Sequence, residues 1–124
     1  MITDKHDFLV LDDELDDIER GVRDTVRAYA TTDLQPQITD WYDHGGLPRD
    51  VAKEFGALGL FGMQLHGYGC AGLSATAYGV ACRELEAVDS GLRSLLSVQG
   101  CLAMFAIHRW GSEAQRQEWA AADA

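Results

Sequence analysis

The segment from Leu92 to Ile107 limits the possible folds more than any other part of this chain. Leu92, Leu95, Leu96, Val98, Leu102, Met104, Phe105 and Ile107 fall on every side of a helical wheel. A helix that is apolar all round offers no face to water, so this one is expected to be buried nearly all round. A membrane span is the competing solution. Arg93, Ser94, Ser97 and Gln99 interrupt the run, which reads as too short to cross a bilayer and is therefore expected to be a core helix.

The rest of the chain supplies helices to cover it. Leu15, Ile18, Val22, Val26, Tyr29 and Ala30 recur at spacings of three and four and line one face of a first helix. Asp12, Asp13, Glu14, Asp16 and Asp17 crowd its start and Arg20, Arg23 and Arg27 follow, the order the helix dipole favours. Asp16 with Arg20 and Glu19 with Arg23 are expected to pair. Pro36 and the run from Asp43 to Gly46 mark a break. Pro48 then opens a second helix with Val51, Phe55 and Leu58 inward, ended by Gly59 or Gly62. Ser74 caps a third, with Ala77, Ala81, Leu85 and Val88 inward and Arg83, Glu84 and Glu86 in water. Asp89 or Ser90 caps the apolar helix, and Gly111 stops it. Ser112 and Gln115 form a capping box for a fifth helix reaching Trp119. No alternating strand pattern competes, so the expected fold is all-α.

At 124 residues and 47% apolar composition, a single domain with one core is expected. A formal net charge of -10 would repel nucleic acid and an anionic membrane face, and neither is an expected partner. Cys70, Cys82 and Cys101 form no C-x-x-C and read as buried reduced thiols, which points to a cytoplasmic protein. Met1 to Asp7 shows no secretory signal.

Two features could carry chemistry. Gly67-Tyr68-Gly69-Cys70-Ala71-Gly72 matches G-x-G-x-x-G, with Asp89 at about the distance of a ribose-binding acid. A dinucleotide site also needs flanking parallel strands, and a glycine-rich bend between helices is the better reading here. The second feature is Arg93, the one charge between Ser90 and Ile107. On a buried helix its guanidinium needs a partner. Ser90 and Ser97 share its face, and Gly100 and Cys101 continue a small-residue stripe. Arg93 could clamp a carboxylate with Ser97 as a second donor. It could instead pair with Asp89 or Glu86, or sit on an exposed first turn, and spacing alone slightly favours these latter readings. The scattered histidines His6, His44, His66 and His108 give no metal site, and there is no nucleophile motif. Trp41, Trp110 and Trp119 read as core or interface anchors.

Tyr68-Gly69-Cys70-Ala71-Gly72, Ala77-Tyr78-Gly79, Arg83-Glu84-Leu85-Glu86, Val88-Asp89-Ser90-Gly91, Arg93-Ser94 and Ser97-Val98-Gln99 together resemble glutaryl-CoA dehydrogenases. Gly111-Ser112-Glu113-Ala114-Gln115-Arg116-Gln117 resembles the end of the same N-terminal domain in acyl-CoA dehydrogenases generally. His66 and Gly67 depart from the family, as do Gly100 and Cys101. The resemblance implies an all-α, helical bundle-like N-terminal domain over residues 1–124, with its body at about 8–119 and a divergent or truncated tail at 120–124.

The resemblance also implies that Arg93, Ser94 and Ser97 lie where the free carboxylate of the substrate sits. In a complete enzyme it implies FAD, glutaryl-CoA as the acyl-CoA substrate, oxidation and decarboxylation to crotonyl-CoA, a homo-oligomer, and an electron-transfer flavoprotein as partner. The flavin domain and the catalytic glutamate match no residue here. The chain alone is expected to be inactive and to bind no flavin. The alternative is a stand-alone helical interaction or dimerisation module.

Overall fold

The computed structural model describes residues 7–120. The expectations for the leading residues up to His6 and for most of the 120–124 tail lie outside them. α1 (Asp17–Tyr29) begins with a capping box: the Asp16 carboxylate accepts from the Glu19 N–H at 2.8 Å, and Glu19 accepts from the Asp16 N–H at 3.1 Å. Glu19 does not pair with Arg23. It is buried, and its other oxygen accepts from the Ser74 hydroxyl at 2.7 Å. Ser74 caps α4 (Ala75–Glu86), accepting from the Ala77 N–H at 3.0 Å, so one carboxylate closes the start of both helices. Arg20 bridges to Asp17 rather than Asp16, and Ile18, expected inward, is exposed.

Pro36 does not break the helical path that follows α1. A π turn (Ala30–Leu34) and a 3-10 turn (Gln35–Gln37) carry the chain on, and Pro36 sits in the first turn of the latter, where its missing N–H costs nothing. α2 (Ile38–His44), unforeseen in the sequence, follows and ends at Gly45 with φ +75°. α3 (Arg49–Ala57) is capped by Pro48 and buries Val51 and Phe55. Leu58 lies past its end and is exposed, and Gly59 turns the chain at φ +69°.

α4 packs on α1 through charge as well as apolar contact. Glu84, expected in water, is only 6% exposed. It accepts from Arg27 at 2.7 and 3.0 Å and from Arg83 at 2.9 and 3.1 Å. Asp12 binds Arg83 at 2.6 Å and Arg23 at 3.1 Å, pinning the 3-10 turn Leu11–Glu14 to both helices. The cause lies in tertiary packing: the α4 face presenting Glu84 meets the arginine face of α1.

The apolar segment forms one helical run of 21 residues: α5 (Ser90–Ser97), a π stretch (Val98–Met104) and α6 (Phe105–Trp110). Asp89 caps it, accepting from the Gly91 and Leu92 N–H groups at 2.7 and 3.3 Å. Its expected all-round burial is corrected. Leu92, Leu96, Gly100 and Met104 form the single buried stripe, while Leu102 is 68% and Trp110 74% exposed, with Val98 and Phe105 open beside them. A strict four-residue repeat drifts around a helix of 3.6 residues per turn, and the wider π turns bring it back onto the core. The run is also long and apolar enough to cross a membrane, by length and composition alone, contrary to the expectation that it is too short. Its buried stripe packs with Phe55, Met63 and Leu85, as a core helix does.

α7 (Glu113–Trp119) carries the expected Ser112–Gln115 capping box. Trp110 and Trp119 are exposed rather than core residues, and Trp41 is half-buried against the core. The three cysteines are free and half-buried, less enclosed than expected.

Candidate functional site

Arg93 projects from the first turns of α5 toward the end of α4. Its Nε donates to Glu86 Oε2 at 2.6 Å and its Nη1 to Ser97 Oγ at 3.3 Å, and the Ser97 hydroxyl donates to the Ser94 carbonyl at 3.2 Å. The arginine side chain is 38% exposed, so it is not the enclosed cation anticipated from an all-buried helix. It lies off the buried stripe and finds the Glu86 partner named as one alternative. Arg93 and Ser97 are brought together, and Ser94 joins through its carbonyl. Ser90 is not part of the arrangement.

Glu86 enters as a residue of the site, having been expected to face water. The hydrogen bond to Glu86 holds the Arg93 guanidinium even more firmly protonated than usual. Among the described residues Nη2 makes no hydrogen bond, so one edge of the guanidinium stays open to an anion. That edge can bind a carboxylate, with the Ser97 hydroxyl free to turn toward it.

Deeper between α4 and α5 the polar seam continues. Cys82 lies within electrostatic reach of Arg93, Glu86 and Tyr78, and the Tyr78 hydroxyl accepts from Cys101 Sγ at 3.1 Å. Burial, then the two thiols, push the Tyr78 phenol far above its ordinary range. Burial likewise raises the Cys82 thiol. Gln64 Nε2 reaches Cys101 at 3.6 Å, and its buried Oε1 has no partner among the described residues. The spacing of Tyr78, Cys82 and Glu86 along α4 is the signal that could have found this seam.

The glycine-rich motif builds something else. His66–Gly67 pairs antiparallel with Cys70–Ala71, joined by Tyr68 and Gly69 at φ 53° and 78°, the geometry of a tight two-residue hairpin. Tyr68 donates to Glu113 at 2.8 Å and His108 reaches the His66 carbonyl at 2.9 Å, docking the hairpin on α6 and α7. Among the described residues no strand–helix–parallel strand unit is formed, and the dinucleotide reading falls with it.

A Cβ on Gly72 would lie 2.8 Å from the His66 ring, so this glycine leaves room for the imidazole across the hairpin. Arg23, Arg27 and Arg83, which could hold a pyrophosphate, are bound to Asp12, Asp24 and Glu84. No metal-binding group of three or more His, Cys, Asp or Glu residues occurs among the described residues.

The family model of the acyl-CoA dehydrogenase N-terminal domain matches residues 16–122. The mitochondrial short-chain specific acyl-CoA dehydrogenase of Rattus norvegicus is 30% identical over 110 residues, which is 86% of this chain and 26% of the relative. The Homo sapiens counterpart is 29% identical over 107 residues, again 86% and 26%. The chain thus spans about a quarter of the length of these curated relatives. The structure of a glutaryl-CoA dehydrogenase from Mycobacterium smegmatis in complex with FADH2 matches with a TM-score of 0.88 and 52% identity, over 94% of this chain and 31% of that one. A second glutaryl-CoA dehydrogenase structure from that organism gives 0.89 and 53%, over 95% and 32%. From its capped helices to its docked hairpin, this chain is an N-terminal domain of the acyl-CoA dehydrogenase family.

Proposed function

We propose that this domain forms the carboxylate-binding end of the acyl pocket in a flavin-dependent dehydrogenase acting on glutaryl-CoA. The observation that carries the reading is Arg93, fixed by Glu86 and Ser97 with one guanidinium edge open. Glu86 holds the guanidinium plane through Nε and leaves the far edge for the distal carboxylate. Ser97 can leave the Ser94 carbonyl and donate to the same group. Bound flavin would supply the acceptor for oxidation at the acyl chain, with crotonyl-CoA as the decarboxylated product. Its binding residues and the catalytic base are assigned to polypeptide beyond this domain. A homo-oligomer and an electron-transfer flavoprotein as electron acceptor complete the proposal.

A chimera tests it. This chain replaces the N-terminal domain of the M. smegmatis glutaryl-CoA dehydrogenase, and kcat/KM is measured for glutaryl-CoA and butyryl-CoA. Arg93→Ala is expected to lower the glutaryl-CoA value by about a hundredfold, as loss of one partner of a charged hydrogen-bonded pair does, and the butyryl-CoA value by less than about threefold. Equal losses on both substrates would remove Arg93 from carboxylate recognition. The exposed face of Val98, Leu102, Phe105 and Trp110 favours a second reading, a module that associates through this surface.

A further inference from the structure

A concavity that Arg93 does not line lies at the start of the same helix. Between α2, the Gly45–Leu47 turn and the start of α5 is a groove of about 400 Å³, within the range of small-ligand pockets. Ile38, Trp41, Tyr42 and Leu47 wall it, and Asp89 is its charged group. Trp41 is half-buried against the core, which fixes the indole where it borders the groove. Asp89 spends Oδ1 on the Gly91 and Leu92 N–H groups that open α5. Its Oδ2 makes no hydrogen bond among the described residues.

The electrostatic setting favours a cation. α2 also carries Asp40 and Asp43, its one basic group, His44, turns back to the Asp40 carbonyl at 2.8 Å and carboxylate at 3.3 Å, and the whole chain bears a formal charge of -10. An anion would meet a carboxylate and electron-rich rings. A small cation with an alkyl body would gain from the indole, the carboxylate and the aliphatic wall together.

We propose that this groove binds a small organic cation of the alkylammonium type, with its charged head between Trp41 and Asp89 and its alkyl part on Ile38 and Leu47. The concave shape and small volume suit a free molecule better than a protein surface. The site is independent of the Arg93 reading.

The test uses the 124-residue chain, with choline as the probe and 3,3-dimethylbutan-1-ol, its uncharged carbon isostere, as the control. Binding is followed through the Trp41 indole N–H resonance. Choline is expected to shift that resonance saturably, and the isostere to bind at least about fivefold more weakly. Asp89→Asn keeps a good helix cap and removes the charge, so it should weaken choline by a similar factor while leaving the helical circular dichroism unchanged. Trp41→Leu, which keeps an apolar wall, should lose the preference for choline over its isostere, read from Leu47 methyl shifts. Equal binding of choline and isostere by the unaltered chain, an unchanged affinity in Asp89→Asn, or no choline-induced shift would each overturn the proposal.

Discussion

Replacing Glu84 by alanine exposes what joins α1 to α4. In the folded chain this buried carboxylate receives four hydrogen bonds, two from Arg27 and two from Arg83. Deleting one partner of a fully buried ion pair costs roughly 3–5 kcal/mol, because the remaining charge is stranded. Here the arginine side chains are 35% and 27% exposed, and both still face Asp12, at 3.8 and 2.6 Å. Solvent screening and that second acid reduce the expected loss to about 2–3 kcal/mol. For a domain of this size that corresponds to a fall in Tm of roughly 6–12 °C. Urea unfolding followed by circular dichroism measures it directly. The double variant Glu84→Ala with Arg27→Ala should recover at least about 1 kcal/mol relative to the sum of the single changes, since the stranded cation is then absent. A loss below about 0.5 kcal/mol for Glu84→Ala, or strict additivity in the pair, would show that the network contributes no more than an exposed surface pair.

Two helical glycines should respond in opposite directions. A Cβ at Gly79 in α4 meets nothing within 4 Å, so Gly79→Ala should raise stability by about 0.5–1 kcal/mol in denaturant titration. A Cβ at Gly100 would stand 3.2 Å from the Gly62 backbone nitrogen, which has no flexible end to move aside, so Gly100→Ala should cost about 1–3 kcal/mol despite its better helix propensity. If the open apolar face drives association of this chain, light scattering across a dilution series will show oligomers that Leu102→Glu converts to monomer, and a monomer at every concentration in the unaltered chain would exclude that reading.

What could be read from residues alone was local. The Ser112 box, the Ser74 cap, Asp89 of the two caps offered for the apolar helix, Gly59 of the two stops offered for α3, and the inward Val26, Phe55, Ala77 and Leu85 stand where the sequence puts them. Each depends on neighbours within one or two turns, and the specific motifs between Tyr68 and Gln117 carried the family as well. Tertiary structure decided the rest. It buried Glu84, left Leu102 and Trp110 open, linked Glu19 to Ser74 and joined Arg93 to Glu86 across the turn between two helices. Helical periodicity fixes which side chains share a face, but not which neighbour that face meets. Asp12 and Arg83 lie far apart in sequence, and their 2.6 Å contact exists only because α1 and α4 pack as they do.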